Sequence, residues 1–487
     1  MSSLVANPFV NSVGKRLLIA VLTVAVLAQI ACKEPISEQA SAAESSVNEF
    51  IQTYAELIAL THVQVIDGTG SPARKDQTVI IERGRIKSVG NSGDSPIPPD
   101  AQILDLREHT IIPGLVGMND PMFYATKGGA EDLTMDFSFP RLYLACGVTT
   151  LRTGDSISVE SDLAIKNLID SGKQPGPRIH LTATYVTTSG TSEDIERANR
   201  QVETWIKQGV SWIKVGRNIR HKELAAAIEF AHRNGCKVTG ELCAIGFREA
   251  AALEIDDIQH GLIGDSEFYA LKQPDTCPGW ETAVAGIYSL DANSASVQEL
   301  TNDLVAHRVA ITSTLPVFEM LAGNPFQYDP RMRDALSLEA YENLLEQRSK
   351  AKERTPGAWQ VVFKKEMQFE RNFVKAGGLL LLGVDPTGWG GVIAGFGDQR
   401  AIELLVEAGF KPEEAISIAT ANGARFLGES NDTGTITAGK RADLVVLRGN
   451  PLMRISDIRN VEIVFKDGVG FDPAKLIASV RGQVGKR

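Results

Sequence analysis

Apolar positions fall into three regimes along the chain. Between residues 56 and 112 they come as short runs broken by turn signals. This predicts a strand at 59–66 ending at Asp67-Gly68-Thr69-Gly70, and a hairpin over 79–89 turning at Gly84. From 111 to 385, compact apolar runs alternate with segments of helical period. The runs predict strands at 111–118, 148–152, 178–185, 212–216, 237–242, 257–261, 310–316 and 379–385. Helical patterns lie between them at 193–208, 222–234 and 297–309, and the charged stretch 331–375 predicts a helical insertion before the last strand. Eight strands with intervening helices point to an α/β fold, a (β/α)8 TIM-like barrel over 113–430, with a doubly wound open sheet as the alternative. Short β runs return at 443–469 with a turn at Asp467-Gly468. Residues 56–112 and 431–487 are therefore expected to pair into one small composite β-sandwich domain.

Composition narrows the class. At 487 residues the chain is too long for one small domain, and 43% apolar with 23% charged residues is ordinary for a globular protein. A formal net charge of −10 argues against a nucleic-acid partner, which favours basic surface. The five cysteines are unevenly spread and show no disulfide framework; Cys243 reads as a small buried hydrophobe.

The first 32 residues look like a targeting segment. Lys15-Arg16 precede an apolar run over 17–31, short for a bilayer span, that ends at Ala31-Cys32. This matches a bacterial lipoprotein signal with Cys32 as the lipidated residue, although Gln29 stands where an apolar residue is usual. Plain secretion and a retained anchor are the alternatives. The expected location is the cell envelope, with a linker over 33–55 and membrane contact through the lipid. Lys33 after the cysteine favours the outer membrane.

The segment 111–124 reads IIPGLVGMNDPMFY, 147–152 reads GVTTLR, 419–427 reads ATANGARFL and 437–447 reads TAGKRADLVVL. In this order they resemble the amidohydrolase superfamily, in particular its imidazolonepropionase-like and prolidase-like members. The resemblance spans roughly 56 to 469. It implies a metal-dependent hydrolase barrel with a composite β domain, acting on C–N bonds of small amide-type ligands. In that family the first strand reads PGL-(I/V)-x-x-H-x-H, and its two histidines bind metal from one strand face. Here those positions are Asn119 and Pro121, which read most simply as a strand-to-loop turn.

The remaining ligand positions are partly kept. The resemblance places a carboxylated lysine at Lys214, with a lysine paired to a carboxylate as the alternative reading. Glu241 stands where the family has histidine, and is either a metal ligand or the counter-ion of Lys214. His260 matches the second single histidine. Asp385 matches the carboxylate that binds metal and moves the proton, and is the candidate catalytic residue. The other histidines, at 62, 109, 180, 221, 232 and 307, have no matching context. Two outcomes follow: a hydrolase with an altered or single divalent-metal site, zinc being the favoured ion, or an inactive homologue that binds a small molecule at the envelope. A two-metal centre is not expected.

Overall fold

The structure, a computed structural model, describes residues 47–126, 131–324, 329–353, 357–388 and 391–486. The targeting segment, Cys32 and the linker up to residue 46 lie outside the described residues. Two parallel sheets carry the middle of the chain. One sets Leu115–Gly117, Val148–Arg152 and Arg178–His180 side by side. The other takes Thr182–Tyr185, Trp212–Val215, Lys237–Gly240, Asp257–Gln259, Ala310–Ser313 and Leu380–Leu382 in chain order. Only Leu181 separates the two at one end, so the strand expected over 178–185 is present with a single interruption. At the other end, the Met118 N–H donates to the Leu382 carbonyl at 2.7 Å, and the Asp385 N–H donates to the Asn119 carbonyl at 2.8 Å. Nearly every residue of these strands is buried, which is why they read as continuous apolar runs rather than alternating ones.

Helices pack between the strands. Ser192–Lys207 begins where the Thr191 hydroxyl accepts from the Asp194 N–H, and buries Ile195, Ala198 and Val202 on one stripe. It stops before Gly209, whose φ of +102° suits glycine. The insertion resolves into Pro330–Ala335, Leu338–Glu353 and Ala358–Lys375. The last of these buries Val362, Phe363, Phe369 and Phe373 together with two glutamates, Glu366 and Glu370.

The two outer β segments join in one nine-stranded sheet. Its order runs from Ile51–Thr53 through Val469–Phe471, Val461–Lys466 and Leu444–Arg448 to His109–Pro113. It continues through Leu57–Val65 and Arg74–Glu82 to Arg85–Asn91, with Gln102–Asp105 beside Leu57–Val65. The end of the expected 33–55 linker is thus corrected: Ile51–Thr53 is an edge strand, because its backbone pairs with Val469–Phe471. Both expected hairpin turns have positive φ at both central residues, Arg83-Gly84 and Asp467-Gly468, as a two-residue turn of matching twist requires. Pro113-Gly114 hands the chain from this sheet to the parallel one. A Cβ at Gly114 would lie 2.1 Å from the Thr149 hydroxyl oxygen, so the handover needs glycine.

Candidate active site

Charged side chains converge beyond the C-terminal ends of the parallel strands. Lys214 is the last residue but one of Trp212–Val215, and its Nζ donates to Asp155 Oδ2 at 2.8 Å. Asp155 follows Val148–Arg152 and is fixed by the Thr184 hydroxyl, which donates to its other oxygen at 3.1 Å. Arg217 donates from Nη1 to Glu241 Oε1 at 2.7 Å, and the second Glu241 oxygen lies 3.9 Å from His260 Nε2. The other ring nitrogen of His260 contacts the Thr314 hydroxyl at 2.8 Å. Asp385 follows Leu380–Leu382. His260 and Asp385 both hold left-handed backbone, with φ of 71° and 47°. Such conformations cost about 1–3 kcal/mol for residues with a Cβ and gather where geometry serves a site.

The charges act on one another. Burial opposes the Lys214 ammonium, but Asp155, then Glu241 and Asp385, hold it above its ordinary value. Burial also works to raise the Glu241 carboxyl, yet His260, Lys214 and Arg217 together bring it down to about 2. Asp385 goes the other way. Its burial raises it above the ordinary carboxylate value, although His260 and Lys214 pull against this. A carboxylate raised in this manner is a better proton acceptor than an exposed aspartate.

The structure brings Lys214, Glu241, His260 and Asp385 to one mouth, with Asn119 paired through its carbonyl to the Asp385 N–H. Strand Leu115–Gly117 has ended before Asn119 and Pro121. Pro121 offers only its carbonyl, which accepts from the Tyr143 hydroxyl at 3.0 Å. Both polar atoms of the Asn119 side chain are buried without a hydrogen-bond partner among the described residues. Asp120 is turned away beside Asp398, where burial pushes both carboxyls up, Asp398 to about 7.

One expected contact is corrected. The hydrogen-bonded counter-ion of Lys214 is Asp155, not Glu241, because Arg217 arrives just past the lysine strand and takes the glutamate. Cys243 is corrected as well: it is bonded to Cys277, which ties residues 265–279 to the strand end beside Glu241. Sequence reasoning missed Asp155, Arg217 and Thr314. A signal existed for two of them. Asp155 ends the Thr-Gly-Asp that follows GVTTLR, and Arg217 directly follows WIKVG.

As they stand, these side chains do not fit a divalent metal. Lys214 Nζ is engaged by Asp155, and Glu241 is held by the Arg217 guanidinium. Among the described residues, no group of three or more His, Cys, Asp or Glu is disposed to hold a metal ion. A cleft of about 390 Å³ opens beside the mouth, lined by Thr184, Val186, Thr188, Gly216, Arg217 and Arg220 among others.

The amidohydrolase family model matches residues 371–479. Enamidase from Eubacterium barkeri is 22% identical over 425 residues, covering 82% of this chain and 90% of the relative. Among solved structures, a Xaa-Pro dipeptidase with bound methionine superposes with a TM-score of 0.62 at 20% identity, covering 85% of this chain and all of the other. Phenylurea hydrolase B gives a TM-score of 0.62 at 21% identity, covering 87% of this chain and 98% of that one. Over 371–479 the chain is thus similar to the amidohydrolase family, and its fold is that of these solved structures.

Proposed function

We propose that this protein hydrolyses a C–N bond of a small amide-type molecule at the mouth of a closed (β/α)8 barrel, using side chains rather than a two-metal centre. Closure is supported by the backbone hydrogen bonds from Met118 and Asp385 that join the first and last strands. The reaction class is supported by the names of the relatives, since an enamide, a dipeptide and a phenylurea each carry a C–N bond beside a carbonyl.

One observation carries the reading: a raised, buried Asp385 shares the mouth with His260 and two cations. Asp385 takes a proton from water as the water oxygen bonds to the carbonyl carbon, and the carbonyl oxygen gains the displaced electron pair near Lys214 and Arg217. As the carbonyl re-forms and the C–N bond breaks, His260, oriented by Thr314, gives a proton to the leaving nitrogen and is reprotonated by way of Asp385. The second reading is a binder of such molecules. It is favoured by the fact that Lys214, Arg217 and Glu241 already have partners in one another and in Asp155.

The location proposed is the bacterial cell envelope through a lipid on Cys32. The Cys243–Cys277 disulfide supports this, because such bonds persist in oxidising compartments. The test is an amide panel assayed with chelator-treated protein of known metal content. Turnover that survives chelation and is lost in Asp385→Asn supports the side-chain mechanism. Turnover that tracks stoichiometric zinc overturns it in favour of a single-metal site, and ligand binding without turnover supports the binder.

A further inference from the structure

His260 and Gly261 are two successive left-handed residues, with φ of 71° and 62°. The turn they open continues into Gly261–Gly264. On one side it is held by the strand ladder, where the His260 N–H donates to the Thr312 carbonyl at 3.0 Å. On the other side it is held by a side chain 103 residues away in sequence. Glu366, fully buried on helix Ala358–Lys375, accepts from the Ile263 N–H at 2.8 Å through Oε2 and from the Leu262 N–H at 3.2 Å through Oε1. Successive backbone N–H groups in such a turn form a concave anion site, and here the chain fills it with its own carboxyl. The fit is close: a Cβ on Gly261 would stand 1.8 Å from Glu366 Oε1.

Burying a carboxyl is costly, and an apolar residue at 366 would serve the packing of this helix better. The two N–H contacts are the return for that cost, and what they fix is the turn that presents His260. We infer that Glu366 is a positioning residue, which holds the His260 imidazole in its working orientation through the backbone of residues 261–263. Glu366 itself does not reach the mouth. The inference rests on the reading of His260 as part of the working site, but its main test does not need turnover.

The experiment is histidine-selective NMR of the full chain, whose seven histidines give a small set of ring resonances. His260 is assigned by its loss in His260→Ala. Glu366→Gln is nearly isosteric but keeps one acceptor oxygen and opposes an NH2 to an N–H. It should displace the His260 resonance and leave the other six in place. Gly261→Ala disturbs the same contact from the opposite side and should displace the same resonance. In a turnover assay, Glu366→Gln should lower kcat about 100-fold, the size expected for an ångström-scale misplacement, with KM little changed. A His260 resonance that stays put in both variants, or that moves only together with the other six, overturns the inference. Absence of turnover in the wild type counts against the proposed reaction and leaves the NMR result to decide this one.

Discussion

Among the described residues, one cation–carboxylate pair sits in the interior of the parallel strands and two sit at their mouth, and the same chemistry serves different ends. In the interior, Arg152 and Asp257 are both fully buried at 2.7 Å. Asp257 also accepts from the Thr239 and Thr312 hydroxyls, while Arg152 donates to the Met118 carbonyl and lies over the Trp212 ring. At the mouth, Lys214–Asp155 and Arg217–Glu241 keep part of their surface in contact with solvent. The interior pair ties together the strands that carry Arg152, Thr239, Asp257 and Thr312, out of reach of solvent. The mouth pairs are loosely invested in the fold and stay available.

The largest test of this contrast is Asp257→Asn. It strands the buried Arg152 charge and should lower stability by about 3–5 kcal/mol in urea unfolding. A loss under about 1 kcal/mol would erase the distinction between the two regions. Next comes the disulfide. Cys243→Ser with Cys277→Ser opens a loop spanning 34 residues and should cost about 2–4 kcal/mol, seen as a lower Tm that added reductant no longer changes. A smaller effect is expected for Asp155→Asn, about 1–3 kcal/mol, since Lys214 is buried but Glu241 and Asp385 still face its ammonium. If the mouth works as proposed, that variant should nevertheless lose most of its turnover.

The last test is the acid limb of the stability curve. Glu241 is held at about 2 in the folded chain, against an ordinary value of 4.5. Its contribution is therefore complete above pH 4.5 and fades as pH falls toward 2. Glu241→Gln should flatten the stability curve between pH 4.5 and 2, as read from urea midpoints across that range. An unchanged slope would mean that the glutamate gains nothing from its neighbours.

Much of the scaffold was legible because burial writes itself into runs and periods. Residues 148–152 and the hairpin turn at Gly84 stand where the pattern puts them. The linker end was not legible: the pairing of Ile51–Thr53 is made by backbone atoms with a partner some 420 residues away. At the mouth, the motif positions named Lys214, His260 and Asp385, since they sit within or shortly after apolar strand runs. The partners Asp155, Arg217 and Thr314 lie on loops, where spacing carries no direction. The same is true of Cys277, whose loop lies over the strand end only in three dimensions.

The handover at Pro113-Gly114 bears on the order of assembly. Strand His109–Pro113 lies against Leu444–Arg448, with Ile111 opposite Val446, a separation of 335 residues. At about 5–20 residues per second, a ribosome adds that stretch in roughly 17–67 s. During this interval the early strands of the nine-stranded sheet wait with one side unpaired, and pairings so distant in sequence close slowly. The chain therefore remains unfinished until its final segment emerges. Were the chain exported as proposed, that delay would keep it threadable through a secretion channel.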